Sequence, residues 1–181
     1  RAMFSRRLPI AAVRAFSIWS VIYAGLIAYV AWQWLPANTA NPRARRIGWL
    51  ASASMVLNGA WLLVTQAGQL WLSVVVILAL VGVLGELMRR LGAPRGAGPM
   101  EKLVVDGTFG LYLGWVAIAT AANITATLVA SGVNPAPEVA ELWAVGVLAV
   151  AATIGTLLAK LLDGRLGVAA AMVWVRSARV G

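Results

Sequence analysis

Phe109-Gly110-Leu111-Tyr112-Leu113-Gly114-Trp115-Val116-Ala117-Ile118-Ala119-Thr120-Ala121-Ala122-Asn123 decides how this chain is read. The run is apolar enough to begin a membrane span, yet it carries a tyrosine, a tryptophan and an asparagine that lipid would not select. Helical spacing of about 100° per residue puts Tyr112 and Asn123 about 20° apart, with Trp115 about 60° from Tyr112. One aromatic, amide-bearing face therefore turns into the protein. Leu111, Leu113, Val116 and Ile118 are left for lipid or for neighbouring helices.

The rest of the chain extends that reading. Of its 181 residues, 61% are hydrophobic and 12% charged, a balance outside the range of water-soluble domains. Several runs approach the roughly 18 apolar residues that read as a span. Backbone in lipid must satisfy its own hydrogen bonds, so the spans should be helices. The expected fold is all-α: a polytopic transmembrane helical bundle of about five spans plus a short or truncated sixth helix. Residues 1–15, with Arg1, Arg6, Arg7, Arg14 and the interrupting Pro9, read as a basic interfacial segment. Residues 16–181 read as a single bundle with no separate soluble domain. Its spans are expected near 16–35, 47–65, 70–88, 107–130 and 141–162, with a sixth helix begun at 166–175. Pro36, the uncharged link at 66–69 and the Gly- and Pro-bearing stretches at 89–106 and 131–137 separate them.

Composition removes whole classes of chemistry. With no cysteine and no histidine, disulfides, thiol nucleophiles, Cys/His zinc sites and His-ligated haem are excluded. The net charge of +9 could suggest nucleic acid, but the arginines stand at span ends. Arg43, Arg45, Arg46, Arg89, Arg90 and Arg95 read as anchors to anionic headgroups, and no nucleic-acid partner is expected. The loops that carry them should face the cytoplasm. Among the acids only Glu86 falls inside a span, beside Arg89 and Arg90, where a local ion pair explains it. No second buried carboxylate offers acid–base work, and no nucleotide loop is present, so no enzyme is expected.

Three helices carry polar and aromatic residues with both a packing and a binding reading. Trp19 and Tyr23 lie one turn apart, an arrangement that fills a bundle well. Ser54, Asn58, Trp61 and Thr65 form one stripe, and an intramembrane asparagine most often bonds a neighbouring helix, worth about 0.6–2 kcal/mol. Gly110 and Gly114 have the spacing that lets helices approach closely.

Taken in order, Trp19-x-x-Ile22-Tyr23, Asn58-x-x-Trp61 and Tyr112-x-x-Trp115 followed by Asn123 resemble the TspO/MBR family. These are the tryptophan-rich sensory proteins related to the translocator protein. The second, third and fifth of that family's helices carry such motifs. The resemblance covers residues 16–130, with the segments of 141–181 as extensions. It implies a pocket between helices for tetrapyrroles such as protoporphyrin IX, and in some members for sterols or synthetic ligands. Carried over by motif, Trp19, Tyr23, Asn58, Trp61, Tyr112, Trp115 and Asn123 would line it. The tryptophans matching Trp19 and Trp115 are linked in some relatives to light-dependent porphyrin breakdown.

Two departures stand out. The family's first helix and its Trp/Pro-rich loop are not found in these residues, and no basic residue follows Tyr112 within the reach of the proposed cholesterol motif. The resulting expectation is an integral membrane protein of the bacterial cytoplasmic (inner) membrane that binds a tetrapyrrole or other apolar molecule. It would use no metal and no covalent cofactor; porphyrin, carotenoid or lipid would bind non-covalently. Its partners would be the lipid bilayer and either a second copy, as a homodimer, or a larger membrane complex. The alternative is an accessory structural subunit of a photosynthetic or respiratory complex, its aromatic face packing lipid, carotenoid or a partner helix. A small transporter would need paired intramembrane charges or broken helices, and the sequence shows neither.

Overall fold

The computed structural model describes residues 10–92 and 96–133. Four helices account for all regular structure among them: α1 (Ile10–Trp34), α2 (Pro42–Gln66), α3 (Leu70–Leu91) and α4 (Pro99–Ala130). By length and composition α2, α3 and α4 can each cross a membrane, and α1 adds a shorter apolar stretch, Ile18–Trp34. The spans expected at 141–162 and 166–175, and most of the interfacial segment, lie outside the described residues.

Each helix turns one stripe inward at helical spacing. On α1 it is Ile18, Ile22, Leu26 and Tyr29; on α2 it is Ile47, Ala51, Ser54 and Asn58. From α3 come Ile77, Leu80, Leu84, Leu87 and Leu91. The helix that holds the opening stretch, α4, is buried most widely: Phe109, Tyr112, Leu113, Val116, Ala117 and Thr120 all lie inside. Leu113 and Val116 thus face protein rather than lipid, because α4 packs against both α3 and α1.

Two joints explain the order of the helices. A short turn joins α2 and α3 into a hairpin, with Gly68 at φ 72°, where a side chain would be strained. Where α1 crosses α4, a Cβ on Gly25 would stand 2.7 Å from Thr108 Oγ1 and 2.9 Å from its Cγ2, so only glycine allows that approach. Inside the helices, the hydroxyls of Thr65, Thr120 and Thr125 return to carbonyls one turn back. That answers their hydrogen-bonding needs without a partner in the bilayer.

Helix boundaries differ from the sequence reading in one instructive place. Much of 89–106 is helical: α3 continues to Leu91, and α4 opens at Pro99. Proline suits a first helical position, where no N–H is needed. Glu101 then completes the first turn before Lys102–Gly107 widens into a π-helix.

Candidate functional site

Four rings meet between α1, α2 and α4. Trp19 stacks on Tyr23, with centroids 5.5 Å apart, and on Trp61 at 6.3 Å, while Trp115 meets Trp19 edge-on at 6.2 Å and 88°. Asn58 joins them by donating from Nδ2 to the Tyr23 hydroxyl at 3.1 Å. Such ring pairs add about 0.5–1.5 kcal/mol each beyond their burial. The cluster holds α1 against α2 where backbone contact is sparse.

Polar atoms in this cluster are left over. The indole N–H groups of Trp61 and Trp115 and the Asn58 carbonyl oxygen are buried with no hydrogen-bond partner among the described residues. An unmet buried polar group costs about 1–3 kcal/mol. Beside them, a groove of about 630 Å³ runs between α1 and α2, lined by Tyr23, Leu26, Ile27, Val30, Ala31, Trp34, Met55 and Asn58. It is open along one side and almost wholly apolar apart from its Tyr23–Asn58 end.

The other two residues drawn from the motifs are engaged elsewhere. Tyr112 is fully buried and donates its hydroxyl to the Ser54 carbonyl of α2 at 3.3 Å. Asn123 lies eight residues past Trp115, about 12 Å along the helix. Its Nδ2 donates to Ser73 Oγ of α3 at 3.0 Å, and that hydroxyl in turn donates to the Leu70 carbonyl at 2.6 Å. The structure thus gathers Trp19, Tyr23, Asn58, Trp61 and Trp115 around one space. Tyr112 and Asn123 tie α4 to its neighbours.

At the opposite level of the bundle stands a second polar group, one not singled out by the sequence reading. Asn41 caps α2, its Oδ1 accepting from the backbone N–H of Arg43 at 2.9 Å and of Ala44 at 3.0 Å. The Arg43 fork then reaches Glu101 Oε1 at 2.6 Å and Asp106 Oδ1 at 3.0 Å, and its Nε donates to the Leu91 carbonyl at 3.4 Å. Asn41 Nδ2 adds a bond to Glu101 Oε2 at 3.1 Å. Arg43 had read as a headgroup anchor; with side chains only 14%, 14% and 11% exposed, Arg43, Glu101 and Asp106 form an internal clamp.

The π-helix makes that clamp geometrically reasonable. On an α-helix, residues five apart lie about 140° from each other. An i→i+5 turn brings them toward one face, and Glu101 and Asp106 both meet one guanidinium. The α-helical period therefore gave no signal for the pair. At the end of α3 the expected local pair does form: Glu86 accepts from Arg89 Nε at 2.6 Å and from Arg90 Nε at 2.7 Å. Among the described residues, no group of His, Cys, Asp and Glu side chains could hold a metal ion.

Long apolar helices packed around an aromatic, amide-bearing cluster are the build of an integral membrane protein. A family-wide sequence profile described as TSPO-like protein matches residues 6–178. The chain belongs to that family. The match runs well beyond the 16–130 over which the motifs were read, and takes in the C-terminal apolar segments as well. No curated protein and no solved structure matches the chain.

Proposed function

We propose that the Trp19–Tyr23–Asn58–Trp61–Trp115 cluster binds a flat, largely apolar molecule with polar groups at its edge or centre, a tetrapyrrole being the best-fitting class. The observation that carries this reading is the set of unpartnered polar atoms: two indole donors and one amide acceptor, buried in the same aromatic cluster. Free-base tetrapyrroles offer matching chemistry, with carboxylates that accept and pyrrole N–H groups that donate. Stacked indoles suit a planar macrocycle, and the adjoining groove falls within the roughly 300–1,000 Å³ of small-molecule sites. Tyr112 and Asn123 then act on the site only by holding its walls.

In this reading the protein binds or senses its ligand and carries out no reaction of its own. The exposed Arg45, Arg46, Arg89, Arg90 and Lys102 gather at the end of the bundle shared by the α1–α2 and α3–α4 connections. By the positive-inside rule this end would face the cytoplasm.

The test is a titration of the purified protein with protoporphyrin IX, read by quenching of tryptophan fluorescence. Saturable quenching is expected, and it should weaken in the double variant Trp19→Phe plus Trp115→Phe. Non-saturable quenching, or equal quenching in the double variant, would count against a site at these residues.

A further inference from the structure

Shape and charge narrow the ligand of the proposed site beyond the tetrapyrrole class. The ring cluster is compact, whereas the groove beside it is long. From Tyr23 to Trp34 the groove follows α1 for about three turns, roughly 16 Å of helix. Its α2 side, Met55 and Asn58, falls within one turn. A strip along one helix suits a hydrocarbon chain; a planar ring needs two facing walls.

The lining agrees with that shape. Leu26, Ile27, Val30, Ala31 and Met55 are apolar, and Ile27 and Trp34 stand exposed along the open side. In a bilayer a hydrocarbon chain tolerates such an opening, and a polar substituent does not. Among the described residues, neither the groove nor the ring cluster includes a charged side chain. The cluster offers neutral groups instead: two indole donors and one amide oxygen. A carboxylate held there would be desolvated with no cation to pair it. An ester carbonyl accepts from an indole N–H and carries no charge.

We infer that the ligand is a neutral tetrapyrrole ester, its macrocycle at the ring cluster and its long hydrocarbon tail in the α1–α2 groove. The inference rests on the tetrapyrrole reading and adds a tail subsite to it. Tyr23 and Asn58 belong to both parts, so the tail leaves the ring directly into the groove. Asn58 Nδ2 is already committed to Tyr23, while its Oδ1 is free to accept from a pyrrole N–H. From there the tail passes Leu26 and Val30 toward Trp34.

Three chlorins with one ring system test both features: pheophorbide a, a free acid; its methyl ester; and pheophytin a, the phytyl ester. Each is titrated at neutral pH into the purified full-length protein in one detergent, with protoporphyrin IX alongside, and read by tryptophan quenching. The expected order of affinity is phytyl ester, methyl ester, acid, with about tenfold between the two esters. Ala31→Phe and, separately, Val30→Phe fill the groove from exposed positions. Either should bring the two esters within about twofold of each other. Comparing that ratio between variants cancels partition into the micelle, and thermal midpoints report that each variant folds. Equal binding of the two esters by the unsubstituted protein would overturn the inference. So would a phytyl preference that survives both substitutions, or an acid bound as tightly as the methyl ester. Saturable quenching by protoporphyrin IX with none by either ester would overturn it and leave the tetrapyrrole site standing. If no tetrapyrrole quenches saturably, the site reading itself fails and the tail subsite falls with it.

Discussion

The two polar clusters of the bundle are built to opposite rules. At the arginine-bearing end, the Arg43 guanidinium meets two carboxylates and a backbone carbonyl, and Asn41 both caps α2 and braces Glu101. In the aromatic cluster, rings are stacked with care while two indole N–H groups and an amide oxygen go unmatched among the described residues. Clamp residues that satisfy one another have nothing left to offer a ligand. Unmatched ones cost stability in the empty protein and become favourable when a ligand pairs them. The contrast separates residues that hold the fold from those we propose bind the ligand.

Substitutions can break that contrast in order of size. The largest effect should follow Arg43→Ala, which takes the cation away from Glu101 and Asp106 in a mostly buried site and should cost about 3 kcal/mol, seen as a lower thermal midpoint in detergent. Arg43→Lys should recover only part of it, since an ammonium cannot reproduce the fork. Next comes Gly25→Val, whose added atoms meet Thr108 and should cost roughly 1–3 kcal/mol by pushing α1 from α4. In that variant the Trp19–Trp115 contact should loosen as well, shifting the tryptophan emission.

Smaller effects fall on the ties of α4. Tyr112→Phe removes one long hydrogen bond to Ser54 and should cost about 1 kcal/mol. Ser73→Ala removes the partner of Asn123, and intramembrane bonds of that kind average about 0.6 kcal/mol. Both variants should melt slightly earlier and still bind protoporphyrin IX normally. A binding loss in either one would return its residue to the ligand site and blur the contrast.

The sequence carried much of this, unevenly. Helical spans were legible because apolar runs and the indoles near their ends are strong signals, and the motif residues led directly to the ring cluster. Glu86 with Arg89 and Arg90 was legible because α-helical neighbours three and four apart announce themselves. Two things were not. Arg43 looked like any juxtamembrane arginine, since its acids sit some sixty residues away and share a face only through a π turn. Asn123 shares the angular face of Tyr112, but angle alone does not reveal depth, and a helix rise of about 12 Å beyond Trp115 takes it to Ser73 instead of the rings.

The most direct measurement is the protoporphyrin IX dissociation constant of Trp115→Phe set beside that of Asn123→Ala. If the unmatched indoles mark the ligand site, Trp115→Phe should raise the constant about tenfold, the loss of about 1.4 kcal/mol. Asn123→Ala should leave it within about twofold while lowering the thermal midpoint. Equal binding by the two variants, or a larger loss in Asn123→Ala, would contradict that division between fold and site.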